Sequence, residues 1–266
     1  MFLSALPDRR RVAGIETELL VTGAGRPLLF LHAGHGFDTA DPLIARLAKR
    51  HRVVAPSLPG FGDTPRPDGV TSVDDIAYLM LDLIEEMDLR DLIVVGISFG
   101  GWVAAELATK GSDRIASLVL IDAVGVKFGD RETRDITDIF STTAQQIPEL
   151  FFADPAKGAA VLHDLDFTKL PEATALRFAR NRESLTRYGW APTLYNPKLK
   201  GRLHRIKVPT LLLWGAEDRI VSTDYGRNYA AAIPGARLAV IGDAGHYGYL
   251  EQPAAFADEI EAFLGA

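Results

Sequence analysis

The sequence predicts an α/β protein with a mostly parallel, doubly wound sheet and a helical cap insertion. Short apolar runs alternate along the chain with amphipathic stretches. Most of the runs are almost continuously apolar, which is typical of strands buried on both faces of a helix-covered parallel sheet. Strands that alternate with helices form right-handed βαβ units, and these units build a doubly wound sheet.

Six apolar runs are predicted to be strands of this sheet: Leu28–His32, Arg52–Ala55, Leu92–Ile97, Ser117–Ile121, Thr210–Trp214 and Leu238–Ile241. The stretch Arg11–Val21 is predicted to form an antiparallel pair before them. Open α/β sheets bind ligands at the edge formed by the carboxyl ends of their parallel strands. The loops that follow these runs are therefore where functional residues are expected.

Four amphipathic stretches are predicted to be helices: Val73–Met87, Gly101–Thr109, Asp224–Ala232 and Gln252–Phe263. In the first of them, Ile76, Leu79 and Met80 follow the three- and four-residue spacing of one buried helix face. Ser72 precedes this helix as its predicted amino-terminal cap.

The alternation of strands and helices stops between residues 126 and 205. This stretch has helical segments rich in Ala, Thr, Asp and Glu that are broken by five prolines, and it has no strong strand pattern. We therefore predict a single domain in which residues 1–125 and 206–266 form an α/β core. Residues 126–205, called the cap segment below, are predicted to form a helical cap or lid.

The composition excludes several classes of function. The chain has no cysteine, which excludes disulfides, a thiol nucleophile and thiolate metal sites. Its net charge of −6 disfavours non-specific binding to nucleic acid or to an anionic membrane. The start MFLSALPDRR lacks the charge order of a signal peptide, and no uncharged apolar stretch has the length of a membrane-spanning helix. We therefore expect a cytoplasmic protein with a small-molecule substrate and no membrane or nucleic-acid partner; its oligomeric state stays open.

The strongest functional signal is the pentapeptide Gly96–Gly100, with the sequence GISFG. It joins a predicted strand directly to a predicted helix. A G-x-S-x-G turn at such a junction exposes the serine hydroxyl at the carboxyl edge of the sheet, and its glycines leave room for a strained backbone. The adjacent helix N-terminus favours developing negative charge. Ser98 is therefore a predicted nucleophile, with a buried structural serine as the alternative.

A serine hydroxyl is a weak nucleophile at neutral pH unless a base and an orienting acid assist it. Of the six histidines, His246 follows the last predicted strand in a loop of small residues, and we predict that it is the base. Asp218 follows the strand TLLLW and is the predicted acid. Glu217 beside it and Asp122, at the end of SLVLID, are the competing candidates.

A tetrahedral intermediate needs two hydrogen-bond donors that point at its oxyanion. The backbone amide of Phe99, directly after the nucleophile, is one predicted donor. The loop His32–Gly36 contains small residues that can turn an amide towards the site, and Gly34 is the preferred second donor. His35 is the alternative second donor, and His32 is expected to anchor the loop.

Taken together, these motifs resemble the α/β-hydrolase superfamily. HAGHG stands where the family has its HG-x-x-G oxyanion loop, with Ala33 in place of the usual glycine. VAPSLPGFGDTPRP resembles the loop after the next strand, GISFGG the nucleophile elbow, WGAEDRIV the acid loop and GDAGHYGYLEQP the histidine loop. The chain order Ser98, Asp218, His246 is also the family's order. The resemblance implies the α/β-hydrolase fold with a cap, and catalysis that needs neither a metal nor an organic cofactor.

The resemblance leaves the substrate open. An elbow serine argues against haloalkane dehalogenases and soluble epoxide hydrolases, which have aspartate at that position. We predict a serine hydrolase that acts on a small, moderately apolar carboxylic ester or a related carbonyl compound. The alternatives are a carbon–carbon bond hydrolase of ring-cleavage products, a cofactor-free perhydrolase (haloperoxidase) and, from another class, a non-catalytic ligand binder on the same fold.

Several aromatic and basic side chains are candidate substrate contacts. The predicted substrate-binding residues are His35, Trp190, Tyr195 and Tyr247. Arg180, Arg182 and Arg187 could bind a substrate carboxylate, as a carbon–carbon bond hydrolase would require. The other interpretation of these arginines is a solvated helix face.

Overall fold

The structure is a computed structural model that describes residues 7–36, 38–161 and 170–265. The expectation for the amino-terminal MFLSAL stretch therefore lies outside the described residues, as does the part of the cap segment at residues 162–169. Within the described chain, one eight-stranded sheet forms the centre of the molecule.

The strands are β1 (Asp8–Val12), β2 (Ile15–Thr22), β3 (Arg26–Leu31), β4 (His51–Pro56), β5 (Leu92–Ile97), β6 (Ile115–Ile121), β7 (Thr210–Gly215) and β8 (Arg237–Ile241). Their order across the sheet is β1-β2-β4-β3-β5-β6-β7-β8. β2 pairs antiparallel with β1 and with β4, whereas the other neighbouring pairs are parallel. The predicted α/β class with a mostly parallel sheet is confirmed.

The helices are α1 (Pro42–Leu47), α2 (Val73–Glu86), α3 (Phe99–Lys110), α4 (Ile147–Phe151), α5 (Pro155–Val161), α6 (Glu172–Gly189), α7 (Thr223–Ala232), α8 (Gly248–Glu251) and α9 (Pro253–Leu264). α2, α3, α7 and α9 correspond to the four predicted helices. α1 and α8 were not predicted, because helices of six and four residues are too short to show a helical repeat. At α2, Ser72 forms a reciprocal capping box with Asp75, as its position before the helix predicted.

The helix that follows Ser98 is buried on all sides. Every residue of α3 except Lys110 is buried, and the helix packs on β5 and β6. A Cβ atom at Gly100 would collide with the carbonyl oxygen of Leu31, so only glycine allows the start of α3 to approach β3 this closely. This close packing fixes the position of Ser98 relative to the loop that follows β3.

β8 differs from a strand buried on both faces. It is the edge strand next to β7, and Val240 is 44% exposed there. Its apolar run LAVI indicated a strand. An edge strand has a neighbouring strand on one side only, so part of its surface is exposed to solvent. The sequence pattern therefore identified the element and not its place in the sheet.

The described part of the cap segment contains α4, α5, α6 and a 3-10 helix at Lys200–Arg205. Leu194, in the last part of this segment, contacts the core loop after β6, where its carbonyl accepts from the Gly125 amide at 2.9 Å. α6 lies against core loops, where the Tyr188 hydroxyl donates to the Pro59 carbonyl at 3.0 Å. The core and cap boundaries assigned from the sequence stay a prediction.

Candidate active site

Ser98 occupies a strained turn between β5 and α3. Its φ of 51° and ψ of −111° lie in a region that residues with a side chain rarely adopt. The turn is held by the Ser98 amide, which donates to the Ile121 carbonyl at 2.8 Å. A Cβ at Gly96 would lie 2.7 Å from the Ala104 side chain, so this flanking glycine provides the room that the sequence argument required.

Three side chains from three loops form one hydrogen-bonded line. His246 Nε2 lies 2.8 Å from Ser98 Oγ, and His246 Nδ1 lies 2.8 Å from Asp218 Oδ2. All three residues are buried, at 7%, 1% and 8% exposure for Ser98, His246 and Asp218. The structure thus brings together the three residues predicted from separate strand ends. In this geometry the imidazole can accept the serine proton while the carboxylate faces its other nitrogen.

The acid position is set by backbone donors. Asp218 Oδ1 accepts from the amides of Ile220 and Val221 at 2.7 and 3.0 Å, which leaves Oδ2 for His246. The competitor Glu217 points elsewhere, since its Oε2 accepts from the Ala244 amide at 2.9 Å. These contacts explain why Asp218 and not its neighbour meets the imidazole.

The predicted oxyanion residues lie beside the serine. Gly34 and Phe99 line a small cavity together with Ser98 and His246. The loop that carries Gly34 is anchored by His32, whose Nδ1 lies 2.7 Å from the Ala33 carbonyl and whose Nε2 accepts from the Leu58 amide at 3.0 Å. Burial lowers the pKa of His32 to about 3, so it stays neutral and can keep this acceptor role.

A second, larger cavity adjoins the first. It shares with the smaller cavity the lining residues Gly34, Ile139, Phe151, Leu185 and Tyr247. The shared wall is therefore apolar except for one phenol. His35 lines the larger cavity, and burial lowers the pKa of its imidazole to about 4. Two of the predicted substrate contacts, His35 and Tyr247, thus border this space.

The other two predicted substrate contacts lie elsewhere. Trp190 is 58% exposed and packs against Phe140 with ring centroids 5.4 Å apart. Tyr195 lines a separate surface cleft beside Asp135. Neither lines a cavity next to Ser98, so the geometry gives no support to a substrate contact at either residue.

The three cap arginines have different surroundings. Arg180 donates to the Gly62 carbonyl at 2.8 Å, and Arg187 pairs with Glu183 at 2.7 Å. Arg182 lines the larger cavity. Its guanidinium has no ion pair within the part of the chain that the structure describes, so it is the one of these three arginines that is placed to meet an anionic group on a ligand.

Sequence reasoning missed the apolar walls of both cavities. Ile139, Phe151 and Leu185 come from the cap segment, and no motif distinguishes them from ordinary helix residues. Phe151 even contacts the ring of His246, with centroids 5.5 Å apart. The only available signal was a slight aromatic enrichment in the cap segment, which names no particular residue.

Two negative observations concern the described residues. No described helix combines the length and the hydropathy that crossing a bilayer demands. The described His, Asp and Glu side chains form no group of three or more that could hold a metal ion.

The fold and the site together define a hydrolase of the α/β type. The sequence model of the alpha/beta hydrolase family matches residues 28–259, and the chain belongs to this family.

The chain is similar to an uncharacterized protein and to two proteins that are named as hydrolases. An uncharacterized protein of Mycobacterium tuberculosis is 27% identical, with 96% of this chain and 80% of that protein covered. The 2-hydroxy-6-oxo-2,4-heptadienoate hydrolase of Pseudomonas putida is 27% identical over 95% of this chain and 94% of that enzyme. A meta-cleavage product hydrolase from Pseudomonas fluorescens superposes with a TM-score of 0.78 at 23% identity, with 98% of each chain covered. The last similarity concerns the fold alone.

Proposed function

We propose that this protein is a serine hydrolase that cleaves small, moderately apolar carboxylic esters through a covalent acyl intermediate. The observation that carries the proposal is the line from Ser98 through His246 to Asp218, which opens into an apolar cavity. A hydroxyl bonded to a buried imidazole, and an imidazole bonded to a buried carboxylate, are the parts that nucleophilic acyl transfer requires.

In the proposed first step, Ser98 Oγ attacks the ester carbonyl carbon while His246 Nε2 takes the hydroxyl proton. The amides of Gly34 and Phe99 stabilise the resulting oxyanion. When the tetrahedral intermediate collapses, His246 returns the proton to the departing alkoxide and an acyl-serine remains. Water, deprotonated by His246, then releases the acid and restores the serine.

Asp218 has no proton to transfer in this scheme. Its Oδ2 fixes the imidazole with Nε2 towards the serine and stabilises the imidazolium that forms at each step. The proton on Nδ1 therefore stays between His246 and Asp218 throughout the reaction.

The two cavities bear on the size of the substrate. The cavity at Ser98 is the smaller of the two, and it shares an apolar wall with the larger one. A compact group on one side of the scissile bond and a larger apolar group on the other match this division. Such a ligand would gain binding energy from the shared apolar wall.

Carbon–carbon bond hydrolysis is the second candidate, and Arg182 is the observation that favours it. The guanidinium at the larger cavity could bind a substrate carboxylate. The Pseudomonas putida relative is named for a heptadienoate, which carries such a group. The same serine, histidine and oxyanion donors would then act on a ketone carbonyl instead of an ester.

Covalent labelling and a substrate panel test the proposal. A fluorophosphonate should label the wild type at Ser98 and leave Ser98→Ala unlabelled, and both proteins should unfold at the same temperature. Wild-type protein that is folded but neither is labelled nor turns over p-nitrophenyl acetate or butyrate would contradict the serine-hydrolase proposal and support the ligand binder.

The same panel separates the two candidate substrates. If 2-hydroxy-6-oxo-2,4-heptadienoate is turned over faster than the esters, the carbon–carbon assignment replaces the ester assignment. In that case Arg182→Gln should raise KM for the carboxylate substrate and leave ester turnover unchanged. Arg187→Gln, at an arginine already paired with Glu183, is the matched control.

A further inference from the structure

Asp122 is a buried acid beside the candidate active site that the proposed mechanism does not use. It follows β6 directly, has 0% exposure and adopts a φ of 44°. Its amide donates to the Leu213 carbonyl at 3.0 Å, and its Oδ1 accepts from the Gly215 amide at 2.8 Å. The side chain is therefore held between the ends of β6 and β7. The last residue of β7, Gly215, lies three residues before Asp218 in the chain.

The second carboxyl oxygen of Asp122 has no donor. Oδ2 is buried and has no conventional hydrogen-bond partner. The neighbouring acid is Asp218, because Gly215 lies between the two: its amide donates to Asp122 Oδ1 and its carbonyl accepts from the Asp218 amide at 3.3 Å. Two ionised carboxylates are both acceptors only, so a close contact between them in a buried site requires a proton on one of them.

The proton belongs on Asp122 and not on Asp218. Asp218 faces the His246 imidazole and accepts from two backbone amides. Asp122 accepts from one amide only. Burial, and then the negative charge of Asp218, raise the pKa of Asp122 well above its usual value, and Glu251 acts in the same direction. Burial also raises the pKa of the Tyr249 phenol, so this group stays neutral.

We propose that Asp122 is a positioning residue that stays protonated and donates a hydrogen bond from Oδ2 to the Asp218 carboxylate. This bond adds a side-chain donor to the backbone amides that hold Asp218 against His246. The proton remains on Asp122 during the reaction, so no transfer step involves it. The role in turnover rests on the proposed hydrolase function, whereas the protonation state does not.

Two substitutions separate this role from the alternatives. Asp122→Asn keeps an oxygen for the Gly215 amide and an NH₂ for Asp218, so it reproduces the neutral acid. Asp122→Leu has a similar volume and neither group. We expect kcat for the most active ester of the panel to stay within about twofold of wild type in Asp122→Asn and to fall about 10- to 100-fold in Asp122→Leu, the loss expected for one hydrogen bond to a charged group.

The pattern of kinetic changes is also specific. KM should change little in Asp122→Leu, because the residue does not line either cavity. In Asp122→Leu, the acidic limb of the kcat/KM profile should move to higher pH. Without the Asp122 donor, the Asp218 carboxylate has more negative charge available to stabilise the protonated imidazole of His246. Equal losses in Asp122→Asn and Asp122→Leu would mean that an ionised Asp122 is needed, and wild-type kcat in Asp122→Leu would exclude a positioning role. Either result overturns the proposal.

An infrared measurement tests the proton directly and does not depend on activity or on the folding of Asp122→Leu. At pH 7, the wild type minus Asp122→Asn difference spectrum should contain the carbonyl band of a protonated carboxylic acid that shifts in D₂O. The absence of that band overturns the inference. If the band is present while fluorophosphonate labelling and ester turnover both fail, the hydrolase proposal fails and the protonated Asp122 remains.

Discussion

Asn181 of α6 ties the cap segment to the loop that carries Gly34. Its Nδ2 donates to the His35 carbonyl at 2.6 Å, and its Oδ1 accepts from the Gly62 amide at 2.8 Å. The side chain is only 5% exposed, so both bonds lie away from water. One cap residue thereby fixes two core loops at once, and one of these loops supplies a proposed oxyanion donor.

Asn181→Leu should therefore reduce both stability and turnover. The substitution leaves the Gly62 amide and the His35 carbonyl buried without partners, at a cost of about 2–4 kcal/mol in the free energy of unfolding. The looser Gly34 loop should lower kcat more than it raises KM. Glu183→Gln, on the exposed face of the same helix, is the control and should change neither quantity. Chemical denaturation and ester kinetics measure both effects, and unchanged kcat in a destabilised Asn181→Leu would argue against the link to the site.

Asp218→Asn should lower kcat by about three to four orders of magnitude, as the loss of the orienting carboxylate does in serine hydrolases of this design. An amide that turns its NH₂ towards His246 favours the wrong tautomer of the imidazole. Glu217→Gln is the matched control, because glutamine can still accept from the Ala244 amide. Rates for p-nitrophenyl acetate under saturating conditions test the pair. Comparable losses in the two variants would remove the acid assignment.

The sequence was sufficient to predict the three residues of the triad because their positions follow from the topology of the sheet. Ser98, Asp218 and His246 each follow a parallel strand, and the carboxyl ends of parallel strands meet at one edge of the sheet. The cavity walls were beyond the sequence, because Leu185 and Phe151 reach the site only through the way the cap segment packs. The aromatic pattern of that segment equally suggested Trp190, which packs outward on Phe140 instead.

Asp122 illustrates a different limit of the sequence. Its place at the end of SLVLID made it a competitor for the acid, but in the structure the carboxyl that meets His246 is that of Asp218, and Asp122 Oδ2 has no hydrogen-bond partner. Strand ends specify which residues come near the edge of the sheet. They do not specify which of two neighbouring carboxyls turns towards the imidazole, since that depends on backbone donors such as the Ile220 amide.

Arg177→Met should destabilise the protein because it leaves the buried carboxylate of Glu18 without its charged partner. Arg177 makes two bonds of 3.0 Å to Glu18, whose side chain is only 5% exposed. Burial acts to raise the pKa of Glu18, but the bonds and charge of Arg177, together with hydrogen bonds from the Asp63 amide and Ser57, hold the pKa below its usual value. We expect a loss of about 2–4 kcal/mol in the free energy of unfolding for Arg177→Met.

The double variant Glu18→Gln/Arg177→Met completes the test of this ion pair. It removes the unpaired charge, so it should recover part of the loss seen in Arg177→Met. Arg187→Met, at a pair with both side chains more than half exposed, is the control and should cost less than about 1 kcal/mol. Urea denaturation at pH 7 compares the free energies of unfolding of the variants. Equal losses in Arg177→Met and Arg187→Met would show that the buried ion pair contributes no more to stability than the exposed one.

Gly34→Ala should narrow the space at the proposed nucleophile. The new Cβ would lie 2.7 Å from Leu185 Cδ2, so the leucine must move within the wall that both cavities share. We expect kcat/KM for p-nitrophenyl butyrate to fall relative to the acetate by about tenfold, the scale of one or two methylenes in an apolar pocket. Gly34→Ala/Leu185→Ala should restore the wild-type ratio, and a ratio unchanged in Gly34→Ala would contradict this description of the wall.

Asp41→Asn should stabilise the protein at neutral pH and not at acidic pH. Asp41 is 5% exposed, and burial raises the pKa of its carboxyl from 3.8 to about 7. Between these values the folded protein holds a proton that the unfolded chain has lost, so the free energy of unfolding falls with rising pH by about 1.4 kcal/mol per unit. Asparagine keeps the capping bonds to the Leu43 and Ile44 amides but has no proton to lose. Denaturation at pH 5 and pH 7.5 should show that the stability advantage of Asp41→Asn over the wild type grows with pH. The exposed control Asp68→Asn should show no such trend. The same pH dependence of stability in the two variants would mean that Asp41 is ionised in the folded protein.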